Sequence, residues 1–395
     1  MAKAKKHEDA NREPFVRIVK KGTPSRKRSV AVRAGSLLAA LLICSAYILI
    51  VGKGEISIGE ALSQMWNGTF GIPGNERSMR IMMWDTAIYA AKLLCISVAL
   101  TPAFKMKFWN IGAEGQVVIG GLATAIIMHD YAGSMSKPMM LVVMITVCII
   151  AGAVWGIIPA VFKAYFGTNE TLFTLMMNYV AMKIMDYFYN MWKGKLSALP
   201  TFDKETWFPS LLDHSYTWNI IIFVALAFIM YFYLKKTKHG YEISVIGDSA
   251  NTARYAGINV KKVIIRTMAI SGAICGLCGG LTVAAQNHSI AYSAEAVHTV
   301  TNGYGFTAII VAWLANFNTI GMIFISLLIL FLEKGTGQLG NSFPEFSVGA
   351  GNVMIGIVLF CIIGGAFFLN YRLVFCDAVK NIFRKKSAKG GAQNA

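Results

Sequence analysis

Asn110-Ile-Gly-Ala-Glu-Gly-Gln116 places one carboxylate, two amides and two glycines between long apolar runs. These side chains offer hydrogen bonding and a negative charge. Polar and ionisable groups at bilayer depth are expensive, which makes each a functional-site expectation. The glycines let backbone or solute approach closely. The competing reading is a polar turn at the membrane surface, where none of these residues is costly. Other chemistries find little support. No Gly-x-x-x-x-Gly-Lys-[Ser/Thr] loop occurs, so ATP hydrolysis is not expected of this chain. His-Glu-x-x-His and Gly-x-Ser-x-Gly are also absent, and no His, Asp or Glu cluster has metal-ligand spacing. Gly335-Thr-Gly337-Gln-Leu-Gly340 spells a dinucleotide fingerprint, but it follows an apolar helix-length run and no βαβ unit surrounds it. Asn67-Gly-Thr69 spells a glycosylation sequon, a frequent chance match. No enzyme activity, cofactor or metal is expected.

The elements that position the polar stretch are membrane helices. The chain is 55% hydrophobic and only 14% charged, against about one quarter charged in an ordinary soluble domain. Several apolar runs approach or exceed the roughly 18 residues that span a bilayer. The expected fold is an all-α polytopic membrane protein of about ten transmembrane helices, one or two of them broken or re-entrant, with both termini cytoplasmic.

Charge sets the orientation. Residues 1–33 carry net +8, residues 235–266 net +5 and residues 370–395 net +5, a total of +18, so the rest of the chain nets −1 within the formal +17. A nucleic-acid binder would gather its charge on a folded basic face with stacking aromatics. Here it lies in two tails and one loop beside apolar runs, the positive-inside pattern, so no nucleic-acid partner is expected. Six of the seven cysteines, including Cys275 and Cys278, lie in apolar runs and read as small buried residues. No signal peptide is evident.

The domain reading is a basic, disordered tail over 1–33, a transmembrane domain over 34–370 and a basic tail over 371–395. Ala34–Val51 reads as the first span and Met83–Leu100 as the second, ending at Pro102. Asp85 and Lys92 share a face of that second helix, free either to pair or to snorkel. Ile58–Trp66 suits a short surface helix. Thr168-Asn-Glu-Thr171 looks like a helix start, with a polar cap and an acid in the first turn. In the 235–263 loop, Ser249–Gly257 has helical character with a glycine stop. Gly272, Gly276 and Gly280 form a small-xxx-small ladder for close helix packing. Gly305–Leu314 is too short to span as a straight helix and suits a broken segment.

Four stretches resemble the permease subunits of bacterial nucleoside and simple-sugar ABC importers, relatives of the ribose permeases. They are Asn110–Gln116; Asn169-Glu170-Thr171 with Met177-Asn178; Gly247-Asp248-Ser249-Ala250 with Ala253-Arg254-Tyr255-Ala256-Gly257; and Gly303-Tyr-Gly305-Phe306. They occur in the family's order within residues 34–370. Asp248 stands where asparagine is expected, and Lys105–Trp109 is more basic and aromatic than the family pattern.

The resemblance implies half of a transmembrane pathway in the bacterial plasma membrane. Its partners would be a cytoplasmic ATP-binding subunit, a second and non-identical permease and an external substrate-binding lipoprotein. Asn110, Glu114, Gln116, Asn169, Glu170 and Asn178 become expected pathway residues, whose amides and carboxylates suit a ribose and a base edge. Capping is the competing reading for Asn169 and Glu170, and a structural pair with a lysine such as Lys92 for Glu114. Gly247, Asp248, Ala250, Ala253, Arg254, Tyr255 and Gly257 become the expected docking segment for the ATPase; a helix lying on the lipid surface is the alternative. A stand-alone secondary transporter would need a coupling-ion site and an internal repeat, and a membrane-embedded transferase would need a catalytic cluster. Neither set of features is found.

Overall fold

Apolar runs in this chain become helices because helical geometry satisfies every backbone polar group within its own segment. The computed structural model describes residues 16–20, 25–53, 56–212, 214–290, 300–343, 346 and 348–375. In order they form β1 (Val16–Lys20), α1 (Arg26–Val51), α2 (Ile58–Phe70), α3 (Glu76–Lys105), α4 (Ala113–Asp130), α5 (Lys137–Phe166), α6 (Glu170–Lys193) and α7 (Thr217–Lys236). There follow α8 (Lys238–Asp248), α9 (Ala250–Tyr255), α10 (Val260–Leu281), α11 (Tyr304–Leu314), α12 (Thr319–Ser342), α13 (Val348–Asn370) and β2 (Tyr371–Phe375). A π-helical turn, Thr282–Asn287, extends α10, and a short 3-10 turn lies between α6 and α7.

Among the described residues, six helices are long and apolar enough to cross a membrane: α1, α3, α5, α7, α10 with its π-turn, and α12. The protein is therefore a mostly helical, multi-span membrane protein. The other expected crossings fall on α4, α6, α11 and α13.

The chain divides into two compact units, residues 1–63 with 339–395, and residues 64–338. In the first, β1 pairs antiparallel with β2, Val16 opposite Phe375 through Lys20 opposite Tyr371. α1 packs on α13, where Gly365 abuts Ser36. The fold is mostly helical with one two-stranded ribbon, and the described part of residues 1–33 holds β1 and the start of α1. Ser25 starts that helix early by accepting the Arg28 N–H at 3.4 Å. Lysines and arginines are good helix formers, so charge alone does not stop it. Residues 1–15 and 376–395 of the expected tails lie outside the described residues.

The second unit is organised on α3 and α10, whose apolar windows are 89% and 78% buried against 22% for α5. α10 packs on α5 and α4 along a seam of glycines. A methyl group at Gly272 would overlap the Gly152 carbonyl of α5, and one at Gly276 the Cys148 carbonyl. From α4, a methyl at Gly120 would overlap the Gly276 backbone, while Gly280 sits against Cys148 and Thr124. Without water to drive association, such backbone-to-backbone packing supplies much of the attraction between membrane helices.

Pro102 does not end α3, which runs on to Lys105. A proline this near the terminus forfeits a single backbone bond, and hydroxyls such as Thr101, which donates to the Ser97 carbonyl at 3.0 Å, help such segments stay helical. Gly335 to Gly340 lie within α12, so the fingerprint-like spacing is helix rather than a phosphate-binding turn.

Candidate functional site

In the turn from α3 into α4 the polar side chains are buried while Lys107 and Trp109 are exposed. Asn110 and Glu114 are 0% exposed and Gln116 1%, so these three are enclosed by the protein itself. Asn110 Nδ2 donates to Ser271 Oγ at 3.4 Å. Ser271 lies about 16 Å along α10 from its start, at about 1.5 Å per residue.

The turn is shaped by its own side chains. Asn110 Oδ1 accepts the Gly112 N–H at 2.9 Å, closing an Asx turn, and accepts from Gln116 Nε2 at 3.4 Å. α6 holds the other side. Ile111 N–H donates to Thr174 Oγ1 at 3.2 Å, Asn178 Nδ2 donates to the Ile111 carbonyl at 2.9 Å, and Gly115 N–H donates to Asn178 Oδ1 at 2.9 Å. One asparagine thus satisfies two backbone groups of the α4 start, which would otherwise be orphaned in an apolar interior.

Glu114 faces α11. Its Oε2 accepts the Gly305 N–H at 2.8 Å, and its Oε1 accepts from Thr301 Oγ1. A methyl group at Gly305 would overlap the Glu114 carboxylate and backbone. Hydrogen bonds to a charged group are each worth about 1.5–3 kcal/mol, and the positive end of the α11 dipole adds to them. Lys92 lies within electrostatic reach of the same carboxylate.

Asp85, Tyr89 and Lys92 form a second polar line along α3, and sequence left its partners open. Asp85 pairs with Lys334 of α12, and Lys334 Nζ lies 4.8 Å from the Tyr89 ring centroid. Lys92 neither pairs with Asp85 nor snorkels. It is 0% exposed, its Nζ is 5.8 Å from the Tyr304 ring centroid, and that ammonium has no hydrogen-bond partner among the described residues. Tyr304 OH donates to Glu333 Oε1 at 3.3 Å.

The other expected pathway residues stand apart. Asn169 caps α6, its Oδ1 accepting the Leu172 N–H at 3.2 Å, and Glu170 pairs with Lys163 at 2.7 Å. The structure therefore brings together Asn110, Glu114, Gln116 and Asn178, and leaves Asn169 and Glu170 at a helix end. Sequence reading missed Ser271, Thr174, Thr301 and Tyr304 as partners. Lone hydroxyls in apolar helices were the available signal.

The basic loop folds as two helices rather than one. α8 closes with Gly247, whose added Cβ would overlap the Lys105 carbonyl, and Asp248 is its last residue. Ser249 Oγ caps α9 by accepting the Thr252 N–H at 3.3 Å. Ala250 opens α9 and Ala253 is fully buried beneath it. Gly257 ends the segment at φ +76°, a conformation glycine adopts freely. Arg254 reaches Asn251 at 3.2 Å, and Tyr255 is 93% exposed. The pair is tied to α10, where Arg266 Nη2 donates to Glu242 of α8 at 2.8 Å. That hydrogen bond holds the Glu242 carboxyl below the usual carboxylate range.

Membrane-length helices closed around a buried polar turn, with a short capped helix standing out on a basic loop, define a multi-pass membrane permease. The family model described as "Branched-chain amino acid transport system / permease component" matches residues 82–363, and the chain belongs to that family. It is 28% identical to the guanosine ABC transporter permease protein NupP of Bacillus subtilis, over 76% of this chain and 84% of the relative. The nucleoside ABC transporter permease protein NupB of Lactococcus lactis is 27% identical over 63% of this chain and 70% of its own length. The glucose ABC transporter permease protein TsgB13 of Haloferax volcanii is 26% identical over 73% and 78%.

Proposed function

We propose that the chain is the transmembrane permease subunit of an ATP-binding cassette importer for nucleosides, with simple sugars as the second substrate class. The observation that carries the coupling is α9. Its buried Ala253 and capped start fix the helix, while Tyr255 stands almost wholly exposed on a loop joining α7 to α10. A rigid push on such a helix passes directly into two membrane helices. A cytoplasmic ATPase supplies that push, and an external lipoprotein delivers substrate. A second, non-identical permease completes the pathway.

In this reading Asn110, Glu114, Gln116 and Asn178 are the polar heart of the pathway, and Gln116 Oε1 is buried without a hydrogen-bond partner among the described residues. Asn169 and Glu170 fix the end of α6 beside them. About ten crossings follow if α4, α6, α11 and α13 join the six long helices. An even number would suit the pairing of residues 16–20 with residues 371–375. The positive-inside pattern puts those ends and α9 in the cytoplasm of a bacterial cell.

Affinity purification in mild detergent tests the coupling. An ATP-binding subunit should co-purify and be lost from the Arg254→Ala/Tyr255→Ala variant. A chain that purifies alone and moves nucleoside without ATP would overturn the importer reading in favour of a secondary transporter.

A further inference from the structure

The segment Lys105–Trp109, read from sequence as more basic and aromatic than expected, lies beside a feature the transport reading does not use. An apolar groove of about 180 Å³ runs between α7 and α12, lined by Phe228, Tyr231, Phe232, Ile320 and Ile323 among others. Phe228, Phe232 and Ile320 are each more than half exposed along it.

At the basic end of the molecule the groove meets lysines. Lys235 lies one turn beyond Tyr231 on α7, its Nζ 4.4 Å from the Tyr231 ring centroid and 3.1 Å from its hydroxyl. Lys105, at the end of α3, has its carbonyl against Gly247 of α8, the helix that directly follows the Lys235 end of α7. The α3–α4 and α11–α12 turns meet in one aromatic cluster beside them. Trp109 and Trp313 stack with centroids 5.1 Å apart, Phe104 lies 6.1 Å from both Trp109 and Phe317, and Phe317 precedes groove-lining Thr319 by two residues. Both tryptophans are over 40% exposed. Three non-glycine residues in these turns, Lys107, Asn316 and Phe317, hold φ between +48° and +59°, so the backbone is set in an uncommon conformation to build the cluster.

Basic residues outnumber acids there. Residues 100–113 and 313–332 contain no carboxylate, and between 220 and 248 the acids are Glu242, which Arg266 already engages, and Asp248 at the end of α8. An apolar groove ending in lysines and interfacial tryptophans complements one kind of molecule, a lipid with an anionic headgroup.

We propose that this groove binds one anionic phospholipid of the leaflet facing the basic loop. An acyl chain lies along Phe228, Phe232 and Ile320, and the phosphodiester sits between Lys105 and Lys235 at the level of Trp109 and Trp313. The alternative for the lysines is unspecific snorkelling, which shows no headgroup preference and no stoichiometry. The site rests only on the membrane assignment and is independent of which solute is carried.

Native mass spectrometry of the protein with its co-purifying subunits, titrated with phosphatidylglycerol or phosphatidylcholine of identical acyl chains, tests this. One phosphatidylglycerol should be retained in preference to phosphatidylcholine. Lys105→Gln/Lys235→Gln should weaken it about 30-fold, roughly fivefold per interfacial lysine. Ile320→Trp, which fills the groove and leaves the charges, should displace it as well, and Lys262→Gln should change nothing. Equal retention of both lipids, or unchanged retention in both the double-lysine and the Ile320→Trp proteins, overturns the proposal. So does a cross-link from residue 320 to a second permease subunit, because the groove is then a protein interface.

Discussion

The carboxylate of Glu114 accepts the backbone N–H of Gly305 at 2.8 Å, joining the start of α4 to the start of α11 across 191 residues of sequence. The bond fixes a half-length helix at the point where the polar turn enters the bundle. Glu114→Ala leaves the Gly305 N–H and Thr301 hydroxyl in an apolar interior without that acceptor. It should cost about 3 kcal/mol or more from two charge-assisted bonds. Glu114→Gln keeps one acceptor oxygen and should lose about half as much. Thermal unfolding in detergent, followed by intrinsic fluorescence, ranks the three proteins, and equal stability of all three would refute the role.

Gly276 tests the helix seam. Gly276→Ala pushes a methyl into the Cys148 carbonyl of α5, and overpacking of this kind costs about 1–3 kcal/mol. Gly337→Ala is the matched control, because nothing lies within 4 Å of an added Cβ there. In a helix interior that change should be neutral or stabilising by about 0.5–1 kcal/mol. The two variants should shift Tm in opposite directions.

Lys92 is a buried ammonium without a hydrogen-bond partner among the described residues. Replacing a buried charge by an apolar side chain of similar length is often neutral or stabilising by about 1–4 kcal/mol. Lys92→Met should therefore raise or preserve thermal stability. If transport falls while stability holds, the ammonium serves the transport cycle. A clear loss of stability would show instead that Lys92 is a structural element of the bundle.

The Glu242–Arg266 bond predicts a pH dependence of the basic loop. Arg266 lowers the folded-state pKa of Glu242, so the bond's contribution is fully present above the unfolded value of about 4.3. It is lost as pH falls through the lower folded value. Hydrogen exchange of α8 amides should be constant from neutral pH down to about pH 5 and accelerate below that, after correction for intrinsic rates. Arg266→Gln should remove the step.

How much of this was legible in the sequence follows from cost. Asn110, Glu114, Gln116 and Asn178 could be read because polar side chains in apolar runs must be explained by a partner. Their partners could not, since Ser271, Thr301 and Gly305 are ordinary residues until the chain brings them near. The same holds for Asp85, whose lysine proved to be Lys334 rather than Lys92. The glycine periodicity of α10 was visible, but the carbonyls it meets belong to α5. Pro102 and the basic start of α1 misled for one reason: a local helix breaker or a charge run was given more weight than capping and membrane context. β1 was hidden because a five-residue strand paired with residues 371–375 leaves no local periodicity.

The most direct test is ATP-dependent uptake by vesicles holding the chain with its co-purifying permease and ATP-binding subunits, with the binding lipoprotein outside and ATP inside. A labelled nucleoside from a mixed panel should accumulate against its gradient only when ATP is enclosed, and Arg254→Ala/Tyr255→Ala should reduce the rate at least about tenfold, the loss of roughly 1.4 kcal/mol of coupling. Nucleoside accumulation by the chain alone, without ATP or any partner, would contradict the account.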